Sequence, residues 1–91
     1  MRKEETNRIR VIIYGQEYQI RGEASVDHIR QVAALVDNKM RDIASINPRL
    51  DLHRLAVLAA VNIADEFFRL RQEYEDLLRA LEAEAKLQGD K

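Results

Sequence analysis

The segment from Asp51 to Leu87, DLHRLAVLAAVNIADEFFRLRQEYEDLLRALEAEAKL, decides the fold. It contains no glycine or proline, and at ~1.5 Å of rise per residue it predicts a helix on the order of 50 Å long. A chain this short cannot cover such a helix by itself. Ala56, Ala60, Ile63, Phe67, Leu70, Tyr74, Leu77 and Leu81 follow one another at alternating spacings of four and three, the a/d seam of a coiled coil. Leu78 flanks the seam and broadens it. A second stripe, Val57, Val61, Ala64 and Phe68, lies on another face and stops where Arg71, Gln72 and Glu75 begin. The first half of the helix is therefore apolar nearly all round, as expected of an element held between a head and a partner chain. The second half keeps a single seam, which suits bundling with copies of itself.

Working back toward the N-terminus, Asp51 is placed to cap this helix, and the break before it falls at Ser45, Ile46, Asn47 and Pro48. A first helix opens at Ser25 as N-cap, with Asp27 in its first turn where the helix dipole favours negative charge. Its apolar stripe is Ile29, Val32, Ala33, Val36, Met40 and Ile43. Upstream, Ile9, Val11 and Ile13 alternate with Arg8, Arg10 and Ile12, and Tyr18 with Ile20 resumes the alternation. Gly15 and Gln16 read as a type II′ turn joining two strands, and Gly22 ends the second. A hairpin alone is barely stable in water, so helices must cover its apolar face.

The expected architecture is α+β. A head of one β-hairpin and one amphipathic helix precedes a long C-terminal helix that forms an oligomeric coiled coil. Residues 1–7 are expected to be a flexible N-terminus, 8–58 the head with the start of the long helix, 59–88 the coiled-coil part and 89–91 a flexible end. Running head into coil through one continuous helix fixes the head's orientation.

Composition narrows the function. The chain has 91 residues and a net charge of -1, so no excess positive charge is available for a phosphate backbone, and nucleic acid is not an expected partner. Charged residues make up 34% and hydrophobic ones 46%, a mixture that excludes a disordered tail and suits a helical protein whose small core needs association. There are no cysteines, which removes thiolate chemistry, disulfides and sulfur-ligated metals and fits a reducing cytoplasm. The apolar run Leu55 to Val61 falls far short of the ~20 residues that cross a bilayer, so no membrane insertion is expected. MRKEETNR carries both signs of charge and no apolar core, unlike a secretion signal.

Chemistry-bearing groups are scattered. His28 and His53 sit on different elements with no metal-ligand companion at helical spacing, so no metal site is expected. Asp65, Glu66, Glu73, Glu75, Asp76, Glu82 and Glu84 lie along the long helix, where acid–base work would need a desolvating pocket that a coiled-coil surface does not offer. Solvated-face charge accounts for them. Glu66 is placed to meet Arg71 of a neighbouring chain, and Glu75 with Arg79 forms an intrahelical pair. Gly15, Gly22 and Gly89 do not open a helix in a phosphate-cradling arrangement, so no nucleotide cofactor is implied. Arg8, Arg10 and Arg21 form a small basic patch on the hairpin near Tyr14, suited to an acidic protein partner or simply to guarding a strand edge. Asn62, an amide in an apolar stretch, ties helix to head, fixes oligomer register, or sits partly exposed.

Ile13, Gly15, Tyr18, Ile20 and Gly22, then Val36-Asp37 with Met40 and Ile43, and above all Leu55-Ala56-Val57-Leu58-Ala59-Ala60-Val61-Asn62-Ile63-Ala64-Asp65-Glu66, give this chain its likeness to a known family. It resembles ZapA, the bacterial cell-division protein that associates with FtsZ, from about Ile9 to Leu81. The resemblance implies a non-enzymatic cytoplasmic protein at the mid-cell division site that binds and bundles FtsZ filaments, promoting the Z-ring and septation. It also implies dimers that join tail to tail into an antiparallel, dumbbell-shaped tetramer. The helix is similar to that of the compact family members, with a tail-to-tail seam from Phe67 to Leu81. The oligomer interface would use Ala56, Ala60, Ile63, Phe67, Leu70, Tyr74, Leu77, Leu78 and Leu81. With FtsZ expected to be acidic, the contact candidates are Arg8, Arg10, Arg21, Arg41, Arg49 and Arg54. A generic coiled-coil scaffold for another assembly is the alternative; a small enzyme and a DNA-binding dimer follow it.

Overall fold

The computed structural model describes residues 6–89. Four elements follow one another: β1 (Asn7–Ile13), β2 (Gln16–Gly22), α1 (Val26–Ile46) and α2 (Leu52–Gly89). The expected α+β order of hairpin, amphipathic helix and long helix is present. The flexible segments expected at residues 1–7 and 89–91 fall largely outside the described residues. Asn7 is already in β1, its Nδ2 donating to the Ala24 carbonyl at 2.7 Å, and Gly89 closes α2.

β1 and β2 pair antiparallel, with Ile9 opposite Ile20, Val11 opposite Tyr18 and Ile13 opposite Gln16. That register corrects the expected turn. The loop is Tyr14 and Gly15, not Gly15 and Gln16, and both residues have positive φ, 49° and 77°, so the turn is type I′ and not II′. Glycine takes the second central position, and Tyr14 is forced into a left-handed backbone that a bulky side chain resists. A carboxylate far along the chain supports it. Asp37 Oδ1 accepts the Tyr14 backbone N–H at 2.6 Å, Asp37 Oδ2 accepts Arg41 Nε at 2.8 Å, and the Arg41 guanidinium lies 5.8 Å from the Tyr14 ring centre.

Both helices start where the sequence places them. Ser25 Oγ accepts the His28 N–H at 3.1 Å, and Asp51 Oδ1 accepts the Arg54 N–H at 2.8 Å. α1 runs through Ser45 and Ile46, and its end is closed by the Asn47 N–H donating to Ile43 O at 2.9 Å. The break before α2 is thus confined to Asn47 through Asp51.

Two apolar clusters hold residues 6–60 together. Ile9 and Val11 of β1 pack on Ile29 and Ala33 of α1, with Ile13, Ile20 and Ala24 at the margin. Met40 of α1 packs on Leu55 and Ala59 of α2, with Tyr14, Val36, Ile43, Ala44 and Leu50 around them. Leu55 is 1% exposed, the most deeply buried large side chain. Val32 stays exposed although it belongs to the α1 stripe, because the core follows Ile29, Ala33, Val36 and Met40 and leaves Val32 and Leu35 at the stripe's edge.

By its internal contacts the chain divides into two compact units, Met1–Ala60 and Val61–Lys91, the division falling inside α2. In the second unit no described residue is buried, and only Ile63 and Glu75 are half-buried. Among the described residues no helix is long and apolar enough to cross a membrane.

Candidate interaction surfaces

The seam of α2 is laid bare in the single chain. Phe67, Leu70, Tyr74, Leu77, Leu78 and Leu81 are all exposed, Leu70 at 65%; Ala56 and Ala60 are exposed and Ile63 half-buried. The second stripe is equally open at Val57, Val61 and Phe68. Phe67 and Phe68 touch edge to face, ring centres 5.6 Å apart, and so connect the two stripes. Patches of this kind on a helix mark contact with another chain. The face of α2 that docks on α1 is a third one, Leu55 and Ala59, four residues apart; neither belongs to the two stripes that periodicity singles out.

Charges along the exposed helix are mostly engaged within it. Asp65 pairs with Arg69 at 2.8 Å, and Gln72 Nε2 donates to Asp76 Oδ1 at 3.1 Å. The expected Glu75 to Arg79 pair is replaced by two others, Arg71 to Glu75 at 3.5 Å and Arg79 to Asp76 at 3.0 Å. Arg79 has acids three and four residues before it and takes the nearer. Arg71, the residue expected to meet a neighbour's Glu66, has a partner on its own helix. These pairs are solvent-exposed and contribute little to stability, on the order of a few tenths of a kcal/mol each. Asn62 and Tyr74 are exposed.

The six arginines expected to contact an acidic partner separate into three places. Arg8, Arg10 and Arg21 share the face of the hairpin turned away from the core: Arg8 and Arg21 are direct cross-strand partners, and Arg10 follows two residues along. Arg10 Nε is paired with Glu17 at 2.9 Å. Arg49 and Arg54 lie around the start of α2, Arg54 with Leu50, His53, Val57 and Leu58 lining an open hollow of about 490 Å³. Arg41 is occupied in the fold. Its hydrogen bond to Asp37 raises its already high pKa, and the same bond, with the Tyr14 N–H, holds the Asp37 carboxyl below its ordinary value. That constellation carries no periodic signature beyond the i, i+4 spacing of Asp37 and Arg41.

No group of His, Cys, Asp and Glu among the described residues is arranged to hold a metal ion. What the fold does present is a small α+β protein with a charged hairpin head and a long helix whose apolar seam is exposed. The family model for cell division protein ZapA matches residues 9–89. A cell division protein ZapA of a Geobacillus species, strain WCH70, is 48% identical over 84 residues, 92% of this chain and 97% of that one. One from Bacillus anthracis is 48% identical over 79 residues, 87% of this chain and 89% of the other. A solved ZapA mutant dimer from Geobacillus stearothermophilus matches the fold with a TM-score of 0.71 at 46% identity, covering 90% of this chain and 95% of that one. The chain belongs to the ZapA family of cell division proteins.

Proposed function

We propose that this protein is a non-enzymatic division factor of the cytoplasm, acting at mid-cell, where copies joined through α2 bind FtsZ filaments and hold them side by side. The observation that carries the reading is the uninterrupted apolar seam from Phe67 to Leu81, exposed in the single chain and flanked by charges satisfied within the helix. Burying the exposed part of each large seam side chain contributes on the order of 1 kcal/mol, so a pair of chains gains roughly 10 kcal/mol from the seam. Association costs about 4–15 kcal/mol in lost freedom, so the seam alone gives a loose, concentration-dependent pair. Val57, Val61 and Phe68 supply the further buried area that a lasting dimer needs, and Ala56 and Ala60 let helices approach closely beside Ile63. The relative solved as a dimer supports self-association, and pairing of dimers into an antiparallel tetramer along Phe67 to Leu81 is the next level of the same assembly.

Each added copy brings another hairpin surface. Once one surface holds a filament, the next binds at high effective concentration, which turns weak single contacts into useful crosslinks. Arg8, Arg10, Arg21, Arg49 and Arg54 supply the positive charge for an acidic filament, with Arg41 steadying the hairpin turn beside them. Such rim charges speed encounter and are screened by salt. The reading is tested by co-sedimentation with polymerised FtsZ: the protein pellets with filaments at low salt and less at high salt. Retention in the supernatant at low salt overturns it.

A further inference from the structure

Among the described residues, one edge of β1 has no neighbouring strand. Because the two-residue turn closes on the Ile13 and Gln16 pair, residues 7, 9, 11 and 13 spend their backbone groups on β2, while Arg8, Arg10 and Ile12 turn theirs outward. No backbone hydrogen bond among the described residues reaches them. α1 packs chiefly on β1 and not astride the hairpin, so a third strand beside β1 would bring the helix over the middle of a three-stranded sheet. Between β1 and α1 runs a groove of about 320 Å³ lined by Arg10, Val11, Ile12, Arg30, Ala33, Ala34 and Asp37. Ala33 and Ala34 have no side chain beyond Cβ, which lets a peptide backbone approach the strand edge. Arg30 stands on the helix side of the groove and Arg10 on the opposite face of the strand. Asp37, the acid at its end, is ion-paired with Arg41 and also accepts the Tyr14 N–H. The groove therefore offers strand backbone with no partner among the described residues, with the exposed Arg30 on the helix side and, on the opposite face of the strand, Arg10, whose exposed guanidinium is shared with Glu17 at 2.9 Å.

We propose that the open edge of β1 is a docking site for an extended acidic peptide segment of a partner protein, added as a third strand with carboxylates reaching Arg10 and Arg30. The inference shares Arg10 and an acidic partner with the FtsZ reading and rests on it to that extent, but it specifies the chemistry of the segment and not the protein that carries it, and it is tested without FtsZ. Main-chain hydrogen bonds from Arg10 and Ile12 give the affinity and the two arginines give the selectivity. The test uses the full-length chain and the blocked octapeptide Val-Glu-Glu-Val-Thr-Glu-Glu-Val, followed by amide NMR and hydrogen exchange. Binding shifts and protects the Arg10 and Ile12 amides. Ile12→Pro removes an outward N–H without touching the bonds to β2, and it weakens binding about tenfold; Arg30→Glu does so as well. Arg30 is an exposed helix residue, so that variant decides the matter if Ile12→Pro melts the hairpin. Equal binding by both variants overturns the proposal, as does equal binding of the peptide with Lys in place of Glu. Protection of the same amides without peptide, growing with protein concentration, would give the edge to a second copy and overturn it too.

Discussion

Residues 6–60 and residues 61–89 are made from similar helical material and put it to opposite use. In the first unit, Ile9, Val11, Ile29, Ala33, Met40, Leu55 and Ala59 are buried against one another, and each helix start is capped by a side chain. In the second, Phe67, Phe68, Leu70, Tyr74, Leu77 and Leu81 are each more than half exposed, and the polar residues beside them pair along the helix. The same α2 passes through both. Its apolar positions before Ala60 are divided between a face the chain covers itself and faces it leaves open, whereas those after Val61 are left open apart from the half-buried Ile63. One unit packs a core of its own; in the other no described residue is buried in the single chain.

The largest test of that contrast is Leu70→Glu combined with Leu77→Glu. Charges at two seam positions abolish association of the α2 segments, read by light scattering over a concentration series, and abolish filament bundling, while the cross-strand contacts of the hairpin remain. Retained bundling would remove the crosslinking mechanism. Leu55→Ala is the complementary change, made in the self-sufficient unit. Removing a side chain that is 1% exposed opens a cavity against Met40 and costs about 2–5 kcal/mol of unfolding free energy, measured by urea denaturation. If both variants lost association and folding to the same degree, the two units would not differ as described.

Such variants also mark what the amino-acid order makes readable. The caps at Ser25 and Asp51, the seam from Ala56 to Leu81 and the alternation of β1 are local patterns, and each is legible because it depends on neighbours a few residues away. Leu55 and Ala59 were not distinguishable as the docking face, since that part of α2 is apolar on every side and periodicity has nothing to contrast. The turn was misplaced for a different reason. Glycine at position 15 fits either the first or second central place, and the choice of Tyr14 as its companion depends on Asp37, 23 residues further on. Arg41 read as a candidate contact for an acidic partner, and its ring contact with Tyr14 was not legible for the same reason: it exists only after folding.

A smaller effect separates that folded latch from ordinary surface charge. Asp37 has its pKa lowered, first by the hydrogen bond from Arg41 and then by the Tyr14 N–H. Its stabilisation is complete above the ordinary value of 3.8 and is lost as pH falls through the lower folded-state value, because the unfolded chain takes up the proton first. Asp37→Asn keeps the shape and removes the charge. The variant melts lower than the parent near neutral pH, and the gap closes as the solution is acidified below the ordinary carboxylate range. A gap that persists unchanged in acid would mean the carboxylate is not what holds Tyr14 in its left-handed conformation.

The smallest effect on stability carries the most direct statement about function. Arg8 and Arg21 are opposite each other on the outer face of the hairpin, and like charges in that relation repel. Arg21→Glu turns the pair attractive and stabilises the first unit by roughly 0.2–1 kcal/mol, seen as a modest rise in melting temperature. If the hairpin charge serves an acidic filament, the same variant co-sediments less with FtsZ at low salt, and the deficit shrinks at high salt where the charges are screened. Stability and binding then move in opposite directions from one substitution. A purely protective role for the strand charges predicts a different result, with stability rising and binding unmoved, because a glutamate guards an open edge as well as an arginine does. The sign of the second measurement, and not its size, decides between them.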